Sequence, residues 1–137
     1  METALRILLV EDSALDAELL DMELREAGLR TVVSRIERLA QVPTLLASFR
    51  PDVVISDWRL PAFSGLDVLH AVREHAPGMP FALLCGLYDD DGCTREAIAL
   101  ADLVLRKDAL DEVAPALRKL LLADPDSVVA DDASSDA

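Results

Sequence analysis

The chain has 137 residues, with 13 Lys and Arg against 26 Asp and Glu and a formal charge of −13. This length suits one domain with a real core and is too short for two ordinary ones, and the acidic balance argues against direct contact with nucleic acid, whose phosphates require clustered Lys and Arg. Although 52% of residues are hydrophobic, no apolar run is long enough to span a bilayer and no leader precedes Arg6, so a cytoplasmic protein without a membrane partner is expected.

Apolar and amphipathic segments alternate along the chain. Leu5 to Val10 (LRILLV) reads as a strand. Ser13 to Gly28 reads as a helix, capped by Ser13 or Asp12, ended by Gly28, with Leu15, Leu19, Met22, Leu24 and Ala27 near one face. Leu29 to Ile36 is a second strand and Leu39 to Phe49 a second helix with Pro43 in its first turn. Val53 to Gly65 (VVISDWRLPAFSG) begins with a continuous apolar run, the mark of a strand covered on both faces, which ends on Asp57. Ser64 to His75 is a third helix, Pro80 to Gly86 a fourth strand, Asp91 to Ala101 a fourth helix, Asp102 to Arg106 a fifth strand and Ala109 to Leu122 a fifth helix. The segment 123–137 carries five aspartates and no positive residue, the composition of a disordered acidic tail.

Strict alternation predicts an α/β fold, a five-stranded parallel sheet with helices on both faces. In the strand order 2-1-3-4-5, the first and third strands are neighbours, and ligands bind beyond their carboxyl ends. Glu11, Asp12 and Asp57 meet there. Three carboxylates at one edge repel one another, and such hard oxygen ligands suit Mg²⁺. Taken singly, Glu11 and Asp12 read first as caps of the first helix and Asp57 as the start of a turn, and it is their joint placement on adjacent strands that favours a metal site. Lys107, directly after the fifth strand, can face these carboxylates; alone, it reads as a surface partner of Asp108 or Asp111.

LLVEDSALDAELL at Leu8 to Leu20, SDWRLPAFSGLDVL at Ser56 to Leu69 and ADLVLRKDAL at Ala101 to Leu110 together resemble the three signature regions of bacterial response-regulator receiver domains of two-component systems. The resemblance covers Leu5 to Leu122, giving a receiver domain at 1–122 with the flavodoxin-like receiver fold and a tail at 123–137. It implies that Asp57 is the phosphoacceptor, charged by a sensor histidine kinase or a histidine phosphotransfer protein. Glu11, Asp12, Asp57 and the backbone carbonyl of Arg59 then hold Mg²⁺, and Lys107 contacts the phosphoryl group. Pro61 and Gly65 match the family's turn after the acceptor. The domain promotes its own phosphorylation and dephosphorylation, without being an enzyme in the usual sense.

Two positions depart from the pattern. Cys85 falls where a Ser or Thr normally binds the phosphoryl group, and a thiol is a weaker donor. Val104 stands where the family usually carries an inward-turning Tyr or Phe. Phosphorylation is therefore expected to couple weakly, or differently, to the surface around the fourth helix, fifth strand and fifth helix. The cysteines, Cys85 and Cys93, are expected to be reduced, with Cys85 buried and inert, although a thiol at a helix start invites a redox reading. Arg59 and Leu87 are candidates for controlling hydrolytic water. His70 and His75 are ordinary surface histidines.

The alternatives are a pseudo-receiver that only docks partners and an aspartate-based phosphatase. The phosphatase needs a second Asp two residues past the nucleophile, where this chain has Arg59. No nucleotide-binding glycine motif is present. With no output module after Leu122, the chain reads as a stand-alone receiver or one cut from a longer protein, signalling through protein contacts.

Overall fold

The computed structural model describes residues 4–86 and 95–122. β1 (Leu5–Val10), α1 (Ala14–Glu26), β2 (Thr31–Ile36), α2 (Gln41–Ser48), β3 (Val53–Asp57), α3 (Gly65–His75), β4 (Phe81–Cys85), α4 (Arg95–Leu100), β5 (Leu103–Arg106) and α5 (Val113–Leu122) follow one another. The strands form one parallel sheet in the order β2-β1-β3-β4-β5. The α/β class and the strand order are as expected.

Alternate residues of each strand enter opposite layers, as the two-residue period of a strand requires. Ile7, Leu9, Val53, Ile55, Leu84 and Leu105 pack against Leu20, Leu24, Val113 and Leu117 on the α1/α5 side. Leu8, Val10, Val54 and Leu83 face Val42, Val68, Leu69 and Val72 of α2 and α3. β3 and β4 are buried along their whole length, which is why their sequences read as unbroken apolar runs.

The helix ends follow local chemistry. Ser13 caps α1 by accepting the Asp16 backbone N–H at 3.1 Å. Ser64 and Asp67 form a reciprocal capping box on α3. Gly28, with φ of 94°, turns the chain out of α1 in a conformation that favours glycine.

Two expectations are corrected. Leu15, Leu19 and Met22 do not face the core: Leu15 is 64% exposed, and the buried face of α1 is Ala17, Leu20 and Leu24. Apolar residues lie on two faces of this helix, so periodicity alone selected the wrong stripe. The last helix begins at Val113 rather than Ala109, because Lys107–Glu112 forms a short 3₁₀ segment in which Ala109 has non-helical angles of φ −139° and ψ 52°. Pro115 then falls in the first turn of α5, where its missing N–H costs no helical bond. The 123–137 tail, Leu87, Cys93 and the first four residues of the expected fourth helix, 91–94, lie outside the described residues. Among the described residues, 4–86 and 95–122, no helix is long and apolar enough to cross a membrane.

Candidate functional site

Strand register builds the site. Val10 of β1 lies opposite Ser56 of β3, so the next residues, Glu11 and Asp57, emerge side by side from the sheet's carboxyl edge. Glu11, Asp12 and Asp57 each offer a carboxylate oxygen within 4.8 Å of the others. Glu11 and Asp57 are buried at 1% and 4% exposure, and Asp12 faces solvent. β5 ends at Arg106, opposite Cys85 of β4, and delivers Lys107 to the same edge.

The Lys107 ammonium joins these elements. Its Nζ donates to Asp57 Oδ2 at 3.2 Å and to Asp16 Oδ2 at 3.1 Å, and lies 3.2 Å from Glu11 Oε1. Asp108 pairs with Arg106 instead, so the surface pairing of Lys107 with its neighbour is not formed. Burial alone lowers the ammonium's pKa, but the charges of Asp57 and Glu11 outweigh it and hold the group above the ordinary lysine range. The Glu11 pKa is raised as well, which for a carboxyl favours the neutral form. Burial, aided by the Asp57 charge, pushes its carboxyl from 4.5 up to about 7, against the pull of the Ser13 N–H and Lys107.

The residues fit a divalent cation. Glu11 Oε2 accepts the Ser13 N–H at 3.1 Å. Glu11 Oε1 is buried and accepts no hydrogen bond, having Lys107 only as an ion-pair neighbour. A buried carboxylate oxygen in this condition is costly unless a cation completes its coordination. Oxygen donors grouped so closely suit Mg²⁺, which takes one or two carboxylates and retains waters.

The loop after Asp57 is held tightly. The Trp58 N–H donates to the Leu84 carbonyl at 2.8 Å, and the Gly65 N–H donates to the Trp58 carbonyl at 2.9 Å. A Cβ at Gly65 would lie 2.6 Å from Leu83 Cδ1 and 2.9 Å from the Asp57 carbonyl oxygen. Only glycine permits this approach. Arg59 bridges to Ser64 across the loop and is exposed.

Cys85 ends β4 beside the site and is buried, as expected, but it is disulfide-bonded rather than a free thiol. It therefore has no S–H to donate. The spacing of two cysteines in sequence does not reveal whether their backbones can approach. Val104 is exposed on β5. His70 pairs with Glu96 at 3.4 Å on the surface.

Three contacts were not anticipated. Asp16 holds Lys107, the Ser13 N–H holds Glu11, and Arg35 Nη1 donates to the Glu11 carbonyl at 2.9 Å. The cap at Ser13 foreshadowed the first two, since it fixes the residues on either side. The Arg35 contact depends on the β1–β2 pairing and leaves no local signal.

The model of the response regulator receiver domain matches residues 7–131. The chain is 34% identical over 122 residues to the probable transcriptional regulatory protein TcrX of Mycobacterium tuberculosis, covering 84% of this chain and 49% of the relative. It is 38% identical over 84 residues to the DNA-binding response regulator MtrA of Mycobacterium leprae, covering 61% and 36%. The chain thus spans half or less of the length of these relatives. Their names give no support to the expectation that nucleic acid is excluded. A response regulator from Chloroflexus aurantiacus superposes with a TM-score of 0.72 at 25% identity, covering 88% of this chain and 99% of that one. The signal receiver domain of a LuxO repressor protein from Vibrio parahaemolyticus, at 21% identity, shares the fold with a TM-score of 0.75, covering 94% and 98%. By the family model and the matching fold, the chain belongs to the response regulator receiver domains.

Proposed function

We propose that this receiver domain accepts a phosphoryl group on Asp57 from a phosphohistidine donor, either a sensor histidine kinase or a histidine phosphotransfer protein. The observation that carries the reading is Lys107 Nζ, 3.2 Å from Asp57 Oδ2, at an edge where Glu11 and Asp12 complete a carboxylate cluster. In the transfer, an Asp57 oxygen attacks phosphorus as the P–N bond to the donor imidazole breaks. The electron pair leaves with the imidazole, and the product is an acyl phosphate. Lys107 neutralises charge on the transferring oxygens while its ion pairs hold the site in place.

Glu11, Asp12, Asp57 and the Arg59 carbonyl are the proposed Mg²⁺ ligands. When bound, Mg²⁺ supplies the positive charge that the carboxylates and phosphoryl oxygens share. Dephosphorylation returns the carboxylate when water attacks phosphorus and the P–O bond to Asp57 breaks. Output proceeds through protein contacts for this segment. With Cys85 lacking a donor hydrogen and Val104 lacking a ring, coupling to the α4–β5–α5 surface is weaker or different. A DNA-binding output, as named for MtrA, would reside in sequence beyond the portion matched here.

Trp58, buried beside Asp57, is the chain's one tryptophan and reports on the site. Titration with Mg²⁺ and then beryllofluoride is expected to change its emission saturably. Asp57→Asn is expected to abolish the beryllofluoride response. A folded wild type with no response to either addition would refute the proposal and leave a docking module as the better reading.

A further inference from the structure

We infer that Asp16 is the positioning residue that holds the Lys107 ammonium beside Asp57, and that it thereby tunes phosphoryl binding separately from metal binding. The inference rests on the phosphoacceptor reading above.

The side chain of Lys107 borders a small cavity of about 70 Å³, whose other walls are Asp16, Leu19, Leu20, Leu84 and Leu110. Open space beside a flexible four-carbon stem leaves its charged end unfixed by packing. Oxygen atoms must fix it instead. Two hydrogen bonds do so, to Asp16 Oδ2 at 3.1 Å and to Asp57 Oδ2 at 3.2 Å, while Glu11 Oε1 at 3.2 Å is an ion-pair contact only.

These three anchors are not equivalent. Glu11 and Asp57 belong to the carboxylate group that fits a cation, and Asp16 does not. A cation there shares the charge of Glu11 and Asp57, and a phosphoryl group occupies an Asp57 oxygen. Asp16 alone keeps its full attraction for Lys107 through both events. Its own place is set by the Ser13 cap, which accepts the Asp16 backbone N–H, and its charge sits favourably in the first turn of α1. The ammonium has three N–H groups, so bonding to Asp16 leaves two for phosphoryl oxygens. Asp16 is therefore an anchor for Lys107 and not a rival of the phosphoryl group.

The test compares Mg²⁺ binding alone with beryllofluoride binding at saturating Mg²⁺, by calorimetry, in wild type, Asp16→Ala, Asp16→Glu and Asp57→Asn. Asp16→Ala is expected to weaken beryllofluoride binding roughly two- to fivefold, the size suited to a partly exposed ion pair, with Mg²⁺ affinity within about twofold of wild type. Asp16→Glu, which retains a carboxylate on the same turn, is expected to restore most of the loss. A merely structural role would not produce this split or this rescue. Equal losses for both ligands, no loss in Asp16→Ala, or no recovery in Asp16→Glu would overturn the inference. If wild type binds no beryllofluoride, or Asp57→Asn binds it as well as wild type does, the phosphoacceptor reading fails first and the role of Asp16 falls with it.

Discussion

At the amino edge of the sheet, acids and carbonyls are matched by arginines. Arg6 donates to the Phe49 carbonyl at 3.0 and 2.7 Å and stacks over the Phe49 ring, while its backbone N–H donates to Asp52. Arg73 ties together the Met79 and Leu100 carbonyls and Asp102, which in turn accepts the Phe81 N–H. At the carboxyl edge, Glu11, Asp16 and Asp57 converge on the single ammonium of Lys107, with exposed Asp12 close by. One edge is tied together by arginines, whereas at the other three carboxylates share the Lys107 ammonium. The same sheet thus has an end tied together by arginines and an end whose carboxylates could hold a cation.

The largest test of this contrast is the sign of a stability change. With a chelator present at pH 8, Asp102→Ala is expected to lower the urea unfolding free energy by about 1–2 kcal/mol, because it strands the Phe81 N–H and removes one of the acceptors of Arg73. Glu11→Gln is expected to raise it by a similar amount, of about 1–2 kcal/mol, because it removes a buried charge that burial and Asp57 both oppose. Changes of the same sign in the two variants would break the contrast.

A pH series sharpens it. Glu11 binds its proton more tightly folded, with a pKa of about 7, than unfolded, near 4.5. Its contribution to metal-free stability is therefore complete below the lower value and is lost as pH rises to about 7. A Mg²⁺ ion held by Glu11 would compete with that proton. Its affinity is expected to climb as pH rises from 6 towards 8 and then level off, and Glu11→Gln is expected to flatten the rise. A wild-type affinity independent of pH across this window would show that Glu11 is not a ligand.

The smallest effect concerns the amino edge. Arg6→Lys keeps the charge but loses the forked donation and much of the ring stacking, and should cost about 1 kcal/mol in the same unfolding measurement. No change would mean that charge alone seals this edge.

Much of this was legible in the chain because the signals are local and physically forced. A strand buried on both faces must be apolar throughout, so VVIS ahead of Asp57 announced β3 and the carboxylate at its end. Strand alternation then brought Glu11 and Asp12 to the same edge. Other features depend on distant partners. Asp16 meets Lys107 across 91 residues, and Arg35 reaches Glu11 only after β2 pairs with β1. The face that α1 buries was hidden because Ala17, a small residue, lies on it while larger Leu15 and Leu19 lie outside. The late start of α5 was hidden because Ala109 and Leu110 have good helical propensity but sit in the 3₁₀ turn that delivers Lys107.

The crossover that makes β1 and β3 neighbours also has a kinetic meaning. Glu11 and Asp57 come together only after a chain loop spanning β2 and α2 has closed, and Lys107 arrives only when β5 has docked on β4. Parallel pairings of this kind join residues far apart in sequence and form late and slowly. A divalent ion held by Glu11, Asp12 and Asp57 would bind only chains in which β1 and β3 have paired. By mass action such an ion would shift the equilibrium towards the finished fold. Recovery of the ion site during refolding would therefore time the pairing of β1 with β3.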